Sequence, residues 1–326
     1  VAEDVVRMGV VGCADIAVRR MLPVMAGTDA VDLVAVAARD ADRAAAVAAR
    51  FGCAAEAGYE ALLERDDIDA VYVPLPPALH HAWTRRALEA GKHVLAEKPL
   101  CVDAVQTAEL VELARRRDLA LVENFMFLHH SQHRAVRDLV EQGEIGTLRT
   151  LSSSFGIPPL DPGSYRYDPE LGGGALLDVG VYPLRAAQLY LPGELAVLGA
   201  CLRLDPATGV DVAGSVLLCS PDGVTAQLDF GFEHAYRSDC ALWGDRGLLR
   251  VPRAFTPPEH HRPLVRIEQQ DRVTELSLPP DHQVRNAIEA FAAAARSGGR
   301  RAGTAAPILR QAVLVERVRD AARIVE

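Results

Sequence analysis

Lysine is nearly missing from this sequence of 326 residues: of 35 basic side chains only Lys92 and Lys98 are lysines. Arginine does not give up its proton and lysine can, so each lysine raises the question of why arginine would not serve. An excess of positive charge is also lacking. The 44 acidic residues leave a net charge of −9, without the sequence-wide basic footprint of a nucleic-acid binder. No apolar run approaches the ~18–20 residues of a membrane span. The six cysteines, Cys13, Cys53, Cys101, Cys201, Cys219 and Cys240, contain no C-x-x-C pair, so a zinc knuckle or a redox dithiol is not expected. The start, Val1 to Arg7, is acidic and lacks the basic region and apolar core of a secretory signal. Together these absences predict a cytoplasmic protein with reduced thiols and neither membrane nor nucleic acid as partner.

What is present is a change of pattern near residue 124. Short apolar runs at Val5–Val11, Val31–Ala38, Ala70–Val73, His93–Ala96 and Leu119–Val122 read as strands buried on both faces. Helical stretches lie between them near Ile16–Ala26, Ala41–Phe51, Leu79–Ala90 and Ala104–Arg117, the last opening with a capping Asp103 and Gln106. This alternation predicts an α/β fold with a parallel sheet over residues 1–124. From 125 to 326 strands dominate. They are expected at Leu148–Phe155, Ala196–Leu204, Val212–Cys219, Thr225–Phe232, Asp239–Trp243, Leu248–Val251, Val265–Gln269 and Val273–Leu278. Helices are expected near Arg134–Glu141, Gly174–Leu191, Val284–Arg296 and Pro307–Ile324. This half reads as an α+β domain with a mainly antiparallel, open-faced sheet, its last helices able to pack back on the first domain.

The first strand runs into Gly9-Val-Val-Gly12-Cys13-Ala14-Asp15-Ile16-Ala17. A dinucleotide fingerprint maps onto Gly12, Ala14 and Ala17, small residues that permit the tight turn and close backbone approach. Pyrophosphate would sit on the following helix N-terminus, over Gly12, Cys13, Ala14, Asp15 and Ile16. At the end of the second strand, Ala38-Arg39 stands where NAD-binding chains place an acid for the ribose hydroxyls. Guanidinium suits a 2′-phosphate, so NADP is expected over NAD, with Asp40 next door as the counter-argument. Leu75, Pro76 and His80, and Glu97 and Lys98, follow the ends of later strands, where open α/β sheets bind ligands. In the second half, Tyr165-Arg166-Tyr167 precedes a glycine run, Gly172–Gly174. Along the next helix Asp178, Tyr182 and Arg185 fall on one face. A carboxylate, a phenol and Pro183 in a mostly apolar helix are costly for stability alone, which favours a polar site there. His129 and His133 have H-x-x-x-H spacing, but no glutamate follows His129 as in H-E-x-x-H, and no metal is expected. His260-His261, in a Pro-rich loop, reads as solvated surface.

Gly12-Cys13-Ala14, Pro74-Leu75-Pro76 with His80, Glu97-Lys98-Pro99, and Gly173 through Tyr182 together resemble the glucose–fructose oxidoreductase/inositol dehydrogenase family across nearly the whole chain, including Trp243-Gly-Asp-Arg-Gly247. The subgroup it is most similar to is the NADPH-dependent 3-ketoreductases acting on nucleotide-linked deoxysugars in antibiotic pathways. The resemblance implies NADP(H) as cofactor, a nucleotide-linked keto sugar as substrate and reduction of its C-3 ketone. It implies Tyr182 as proton donor, Lys98 as the group that lowers the phenol's pKa and orients the carbonyl oxygen, and the reverse assignment as an alternative. Asp178 would pair with Lys98 or hold a substrate hydroxyl, and Arg166 would meet a phosphate. Leu128, where many members carry Arg, and Tyr182, where inositol dehydrogenases carry His, depart from the polyol-oxidising pattern. The alternatives are an NADP-dependent sugar, xylose or dihydrodiol dehydrogenase and a regulator that binds NADP without chemistry. Retention of Lys98, Asp178 and Tyr182 argues against the regulator. The open sheet face predicts a homodimer or homotetramer.

Overall fold

The computed structural model describes residues 5–299 and 303–325, so the acidic Val1–Asp4 behind the reading of the chain's start lie outside the described residues. The chain forms two compact units. One comprises the residues up to Phe125 with Val284–Leu309; the other comprises Met126–Gln283 and the chain from Arg310 onward. Val284–Leu309 is fastened inside the first unit, where Thr304 Oγ1 donates to the Leu121 carbonyl at 2.7 Å and the Gly299 amide to that of Asp118 at 3.1 Å.

The first unit holds six parallel strands, β1 (Val6–Val11), β2 (Val31–Ala38), β3 (Ala54–Ala57), β4 (Ala70–Val73), β5 (His93–Glu97) and β6 (Leu121–Asn124), in the order β3-β2-β1-β4-β5-β6. The order reverses between β1 and β4, and ligands of such sheets bind at the carboxyl ends of the strands beside that switch. Val10, Val11, Val36, Val71 and Val73 are fully buried, as a sheet covered on both faces requires. β3 and the short helix Tyr59–Leu63 were absent from the sequence reading. Ala-Ala-Glu-Ala carries no β-branched residue, and its strand exists through pairing with β2, a tertiary choice that propensity does not reveal. The helix expected from Ile16 opens instead as a wide π turn, Ala17–Met21, before Leu22–Met25. Pro23, without an amide, interrupts the i−4 ladder there. Lys92 is accounted for by structure: its buried Nζ donates to the carbonyls of Arg65 (2.7 Å) and Ile68 (2.8 Å), a compact charge between two backbone acceptors.

The second unit holds nine strands: β7 (Leu148–Gly156), β8 (Ala196–Leu204), β9 (Asp211–Cys219), β10 (Thr225–Gly231), β11 (Arg237–Gly244), β12 (Leu248–Pro252), β13 (Leu264–Gln269), β14 (Arg272–Ser277) and β15 (Ala322–Val325). Their order is β14-β13-β12-β11-β7-β10-β9-β8-β15, antiparallel except β7–β10 and β8–β15. The last helix was expected to run to Ile324; it stops at Ala321, and β15 joins the sheet edge instead. Leu151, Phe155, Leu228, Phe230, Leu242 and Val251 point into the core. Alternating with such residues, Ser152, Leu217, Gln227 and Trp243 are exposed, Trp243 by 61%.

Four buried polar side chains fasten the loop after β12. Gln132 Nε2 donates to the Arg253 (3.4 Å) and Ala254 (3.1 Å) carbonyls, and Gln283 Nε2 to that of Phe255 (3.3 Å). Ser238 Oγ accepts the Phe255 amide at 3.1 Å. His133 faces the Ala254 carbonyl with Nε2 at 2.8 Å and the Tyr190 hydroxyl with Nδ1 at 2.6 Å. A carbonyl only accepts, so Nε2 carries the proton and Nδ1 accepts from the phenol. Burial pushes the His133 ring down to about 4, which keeps it in this neutral form. Below an unfolded-state value near 6.5 the open chain takes up a proton that the folded one refuses. The stabilisation is therefore complete above pH ~6.5 and is lost as pH falls toward 4, about 3 kcal/mol in all. Urea unfolding measured between pH 7 and 4 is expected to show this loss, and His133→Gln, which keeps a donor for Ala254, is expected to flatten it. Parallel pH profiles for parent and variant would refute the assignment.

Candidate active site

At the end of β1, Gly12 has φ +115° and its amide donates to the Ala37 carbonyl at 2.9 Å. A Cβ there would come within 2.7 Å of Leu75 Cδ2 and 3.8 Å of the Tyr59 hydroxyl. The turn is therefore restricted to glycine by its conformation, and a side chain there would also have to displace Leu75 Cδ2. The helix that follows begins its ladder with Val18 N–H to Ala14 O, so the first-turn amides after Cys13 are available to an anion. Cys13 is buried, its thiol near the Ala37 carbonyl, while Asp15 is exposed and paired with Arg19 at 3.2 Å. These residues fit a dinucleotide, with a bare-backbone cradle and a helix start in series.

Arg39 and Asp40 are both exposed beyond β2. Asp40 caps the helix Ala41–Phe51, its Oδ1 accepting from the amides of Asp42 (2.9 Å) and Arg43 (3.3 Å). The carboxylate that kept NAD in contention is thus turned toward backbone donors. A second arginine, missed in the sequence, stands beside it. Arg43 reaches the Cys13 carbonyl through Nη2 at 2.5 Å and Nε at 3.1 Å, bringing a guanidinium onto the glycine loop. Burial raises the Tyr59 phenol while the Arg39 and Arg43 charges oppose it, so both cations face this one corner. Nothing in Asp42-Arg43 marks the role in sequence; it follows from one helical turn after a capped start.

The residues after β4 and β5 sort differently from expectation. His80 is completely buried, with Nδ1 at 2.8 Å from the Pro99 carbonyl and Nε2 at 2.6 Å from that of Leu75. It ties the Leu75-Pro76 loop to the Lys98-Pro99 loop and offers no atom outward. The Glu97 side chain also turns inward. Its Oε1 accepts from the Tyr72 hydroxyl and from Asn124 Nδ2, both at 2.7 Å, so one carboxylate joins the ends of β4, β5 and β6. Burial raises its pKa against those two donors and the Lys98 charge. Lys98 follows at the strand's carboxyl end, backed by this bridge. Tyr72 and Asn124 escaped the sequence reading because an apolar strand residue and a strand-end amide carry no local signal.

In the second unit the glycine run positions the polar pair. Gly173 lies so close to Arg166 and Asp168 that a Cβ would meet their carbonyl oxygens at 2.6 and 2.8 Å. Its amide donates to the Asp168 carbonyl, and that of Gly174 to the Arg166 carbonyl, both at 2.9 Å. Asp211 reaches across from β9 to accept the Leu176 amide. The packed turn sets Arg166 Nε at 2.6 Å from Asp178 Oδ2. Burial opposes the Arg166 charge, and Asp178 with the Tyr165 and Tyr182 phenols outweighs it, so the guanidinium stays protonated beside both candidate residues. Asp178 thus has Arg166 as a partner, a pairing the sequence reading did not foresee.

Tyr182 is nearly buried, its ring 5.0 Å from Phe155, 5.5 Å from Phe255 and 5.9 Å from Phe127. The helix that carries it was expected to run unbroken from Gly174. It begins as a π turn, Leu176–Gly180, and becomes α-helical only at Val181. Pro183 falls just past that handover, where a wide turn tolerates its missing amide. The strict i, i+4 relation of Asp178 and Tyr182 therefore does not hold, although both remain beside Arg166. Gly180 lets the helix settle on the sheet, since a Cβ would meet the Phe230 ring at 3.0 Å. Among the described residues no group of three or more His, Cys, Asp or Glu side chains is gathered to hold a metal, and no helix is long and apolar enough to cross a membrane.

Two family models match: an oxidoreductase family with an NAD-binding Rossmann fold over residues 6–125, and the GFO/IDH/MocA C-terminal domain over residues 133–250. A dTDP-3,4-didehydro-2,6-dideoxy-alpha-D-glucose 3-reductase from Streptomyces violaceoruber is 55% identical, over 98% of this chain and 96% of its own length. An enzyme of the same name from Saccharopolyspora spinosa is 54% identical, over 98% of both chains. Among solved structures, a 3-ketoreductase from Actinomadura kijaniata in complex with NADP and TDP-benzene superposes with a TM-score of 0.97 at 50% identity, over 99% of each chain. That relative has also been solved with one tyrosine replaced by Phe and with one lysine replaced by Ala or by Glu. With both domain models matched and identity above half along nearly its full length, this chain belongs to the Gfo/Idh/MocA family of oxidoreductases.

Proposed function

We propose that this protein is a cytoplasmic NADPH-dependent ketoreductase that reduces the C-3 keto group of a dTDP-linked deoxysugar in an antibiotic pathway. The observation that carries the reading is 55% identity to a dTDP-keto-sugar 3-reductase across 98% of the chain. The glycine cradle at Gly12 and the exposed Arg39 support NADPH as the cofactor. Arg39 and Arg43 present two guanidiniums to the 2′-phosphate, which a carboxylate at the end of β2 would repel.

When bound, NADPH supplies the hydride that reduces the carbonyl carbon. The protein's part is to hold the ketone, keep water out and deliver a proton to its oxygen. Tyr182 donates that proton from within its aromatic collar. Lys98 stabilises the phenolate that remains and orients the carbonyl oxygen, its compact charge answering the negative charge that develops there. Asp178, held by Arg166, grips a sugar hydroxyl. In the Actinomadura kijaniata relative, the lysine and the tyrosine replaced in those variants stand the same number of positions apart as Lys98 and Tyr182. This spacing supports the pairing. We further propose that the open face of the nine-stranded sheet, with Trp243 and Leu217 exposed, pairs with a second copy.

NADPH oxidation assayed with dTDP-3,4-didehydro-2,6-dideoxyglucose and with free sugars tests the substrate class, and turnover confined to free sugars would overturn it. NADPH is expected to bind at least about tenfold tighter than NADH, ~1.4 kcal/mol. Arg39→Asp should erase that preference in cofactor titrations, and equal affinities in the parent would refute the role of Arg39. Lys98→Ala is expected to lower kcat by roughly 10²–10⁴, with no rescue by Lys98→Arg. Tyr182→Phe should lose a similar or smaller amount, and cofactor affinity should survive each change. Single-turnover rates decide whether the two act as a coupled unit, since losses that multiply in the double variant would mean independent action. Sedimentation is expected to find a dimer or tetramer at micromolar concentration, and a ~35 kDa particle alone would refute the assembly.

A further inference from the structure

The peptide unit joining Ala254 to Phe255 is held at three points by side chains. Its carbonyl accepts from His133 Nε2 at 2.8 Å and from Gln132 Nε2 at 3.1 Å, and its amide donates to Ser238 Oγ at 3.1 Å. A carbonyl has two lone pairs and an amide one proton, so every hydrogen-bonding direction of this unit is taken and its plane is set. That plane aims Phe255. The buried Phe255 ring lies 5.5 Å from Tyr182, 5.4 Å from Phe155 and 5.1 Å from Phe127. Phe127 meets the His133 ring edge-on at 5.1 Å and lies 5.9 Å from Tyr182. His133 therefore holds two of the rings around the Tyr182 phenol, one through a carbonyl and one by contact. Its other nitrogen closes a circuit. Tyr190, which donates to Nδ1 at 2.6 Å, is the last residue of the helix Val181–Tyr190, and Tyr182 is the second. The path runs from the end of this helix through His133, on the helix Ser131–Glu141, to the Ala254 carbonyl, Phe255 and back to the helix start. Sliding or rotation of the helix that carries Tyr182 would strain the bond at Tyr190.

We propose that Tyr190 and His133 are positioning residues for the reduction, aiming the Tyr182 hydroxyl by fixing Phe255 and Phe127 against its ring. This role rests on Tyr182 as the proton donor. A donor must stand within about 2.6–3.2 Å of the atom it protonates, and a misplacement of about 1 Å costs roughly 10²-fold in rate. The Tyr182 ring swings only if Phe255 or Phe127 yields, and Phe255 is tied by its own backbone. Tyr190 secures the tautomer on which that tie depends. While the phenol donates to Nδ1, the ring proton stays on Nε2 and points at the Ala254 carbonyl. Without the phenol the proton is free to move to Nδ1, and Nε2 would then face the carbonyl lone pair against lone pair. Leu and Phe in place of His133 and Tyr190 would fill similar space without a polar group to satisfy. What the polar pair adds is direction.

Steady-state kinetics with NADPH and the keto sugar that the parent reduces, at a temperature where every variant is folded, test this. Tyr190→Phe is expected to lower kcat about tenfold while KM and NADPH affinity stay within about twofold of the parent. His133→Leu should lose as much or more. His133→Gln, whose carboxamide can donate to Ala254 and accept from Tyr190, should keep kcat within about threefold. Because Tyr190 acts through His133, adding Tyr190→Phe to His133→Leu should cost nothing further. A raised KM with parental kcat, losses that multiply in the double variant, or a His133→Gln protein as slow as His133→Leu would overturn the positioning role and leave Tyr182 as donor. Tyr190→Phe removes a single oxygen and decides alone if His133→Leu does not fold, since parental kcat in that variant overturns the role. If Tyr182→Phe keeps parental kcat, the donor reading falls and the positioning role falls with it.

Discussion

Close packing against the glycine turns is the constraint on which the polar groups of both units depend. At Gly173 the carbonyls of Arg166 and Asp168 occupy the space a side chain would need, and at Gly12 Leu75 does the same. A methyl group at Gly173 would push the facing backbone away, and at Gly12 it would displace the Leu75 side chain and strain a backbone already at φ +115°. In the second unit that segment carries Arg166, and its 2.6 Å contact to Asp178 would open. In the first, Leu75 belongs to the loop that His80 ties to Pro99, next to Lys98.

Behind these turns, buried polar side chains hold loops by their backbone. His80 joins two loop carbonyls, Glu97 joins three strand ends through Tyr72 and Asn124, and Gln132, His133 and Gln283 grip consecutive carbonyls of the Arg253–Phe255 loop. Each such group would cost free energy if left without a partner in the interior. Each therefore favours the loop conformation that pairs its donor or acceptor. The chemistry proposed for Lys98 and Tyr182 needs this rigidity, since a proton donor and a carbonyl must be held to within a fraction of an ångström.

Histidine illustrates why residue type alone misleads. His80 belongs to the motif that resembles the family, yet it is fully buried and occupied by two carbonyls. His133, with metal-like spacing from His129, is instead a neutral bridge between Tyr190 and the Ala254 carbonyl. In both, burial pushes the ring's pKa down. The same composition in a polar cleft would have titrated near neutral pH.

The parallel sheet of the first unit and the strand-rich second unit were legible in the sequence, because apolar periodicity is local and each run there is long enough to state its period. So were Gly12, whose position after the first strand leaves few other uses, and Asp103 as a helix cap. β3, with its four small or polar residues, was not legible, because its partner β2 lies outside its own window of sequence. The two π turns were hidden as well, although a proline follows each within three residues. Arg43 on the Cys13 carbonyl, Asp211 on the Leu176 amide and the Phe127, Phe155 and Phe255 collar around Tyr182 were decided by tertiary structure alone. They join residues from 27 to 73 positions apart, and a contact of that kind is set by how whole elements pack, on which the order of side chains along the chain is silent.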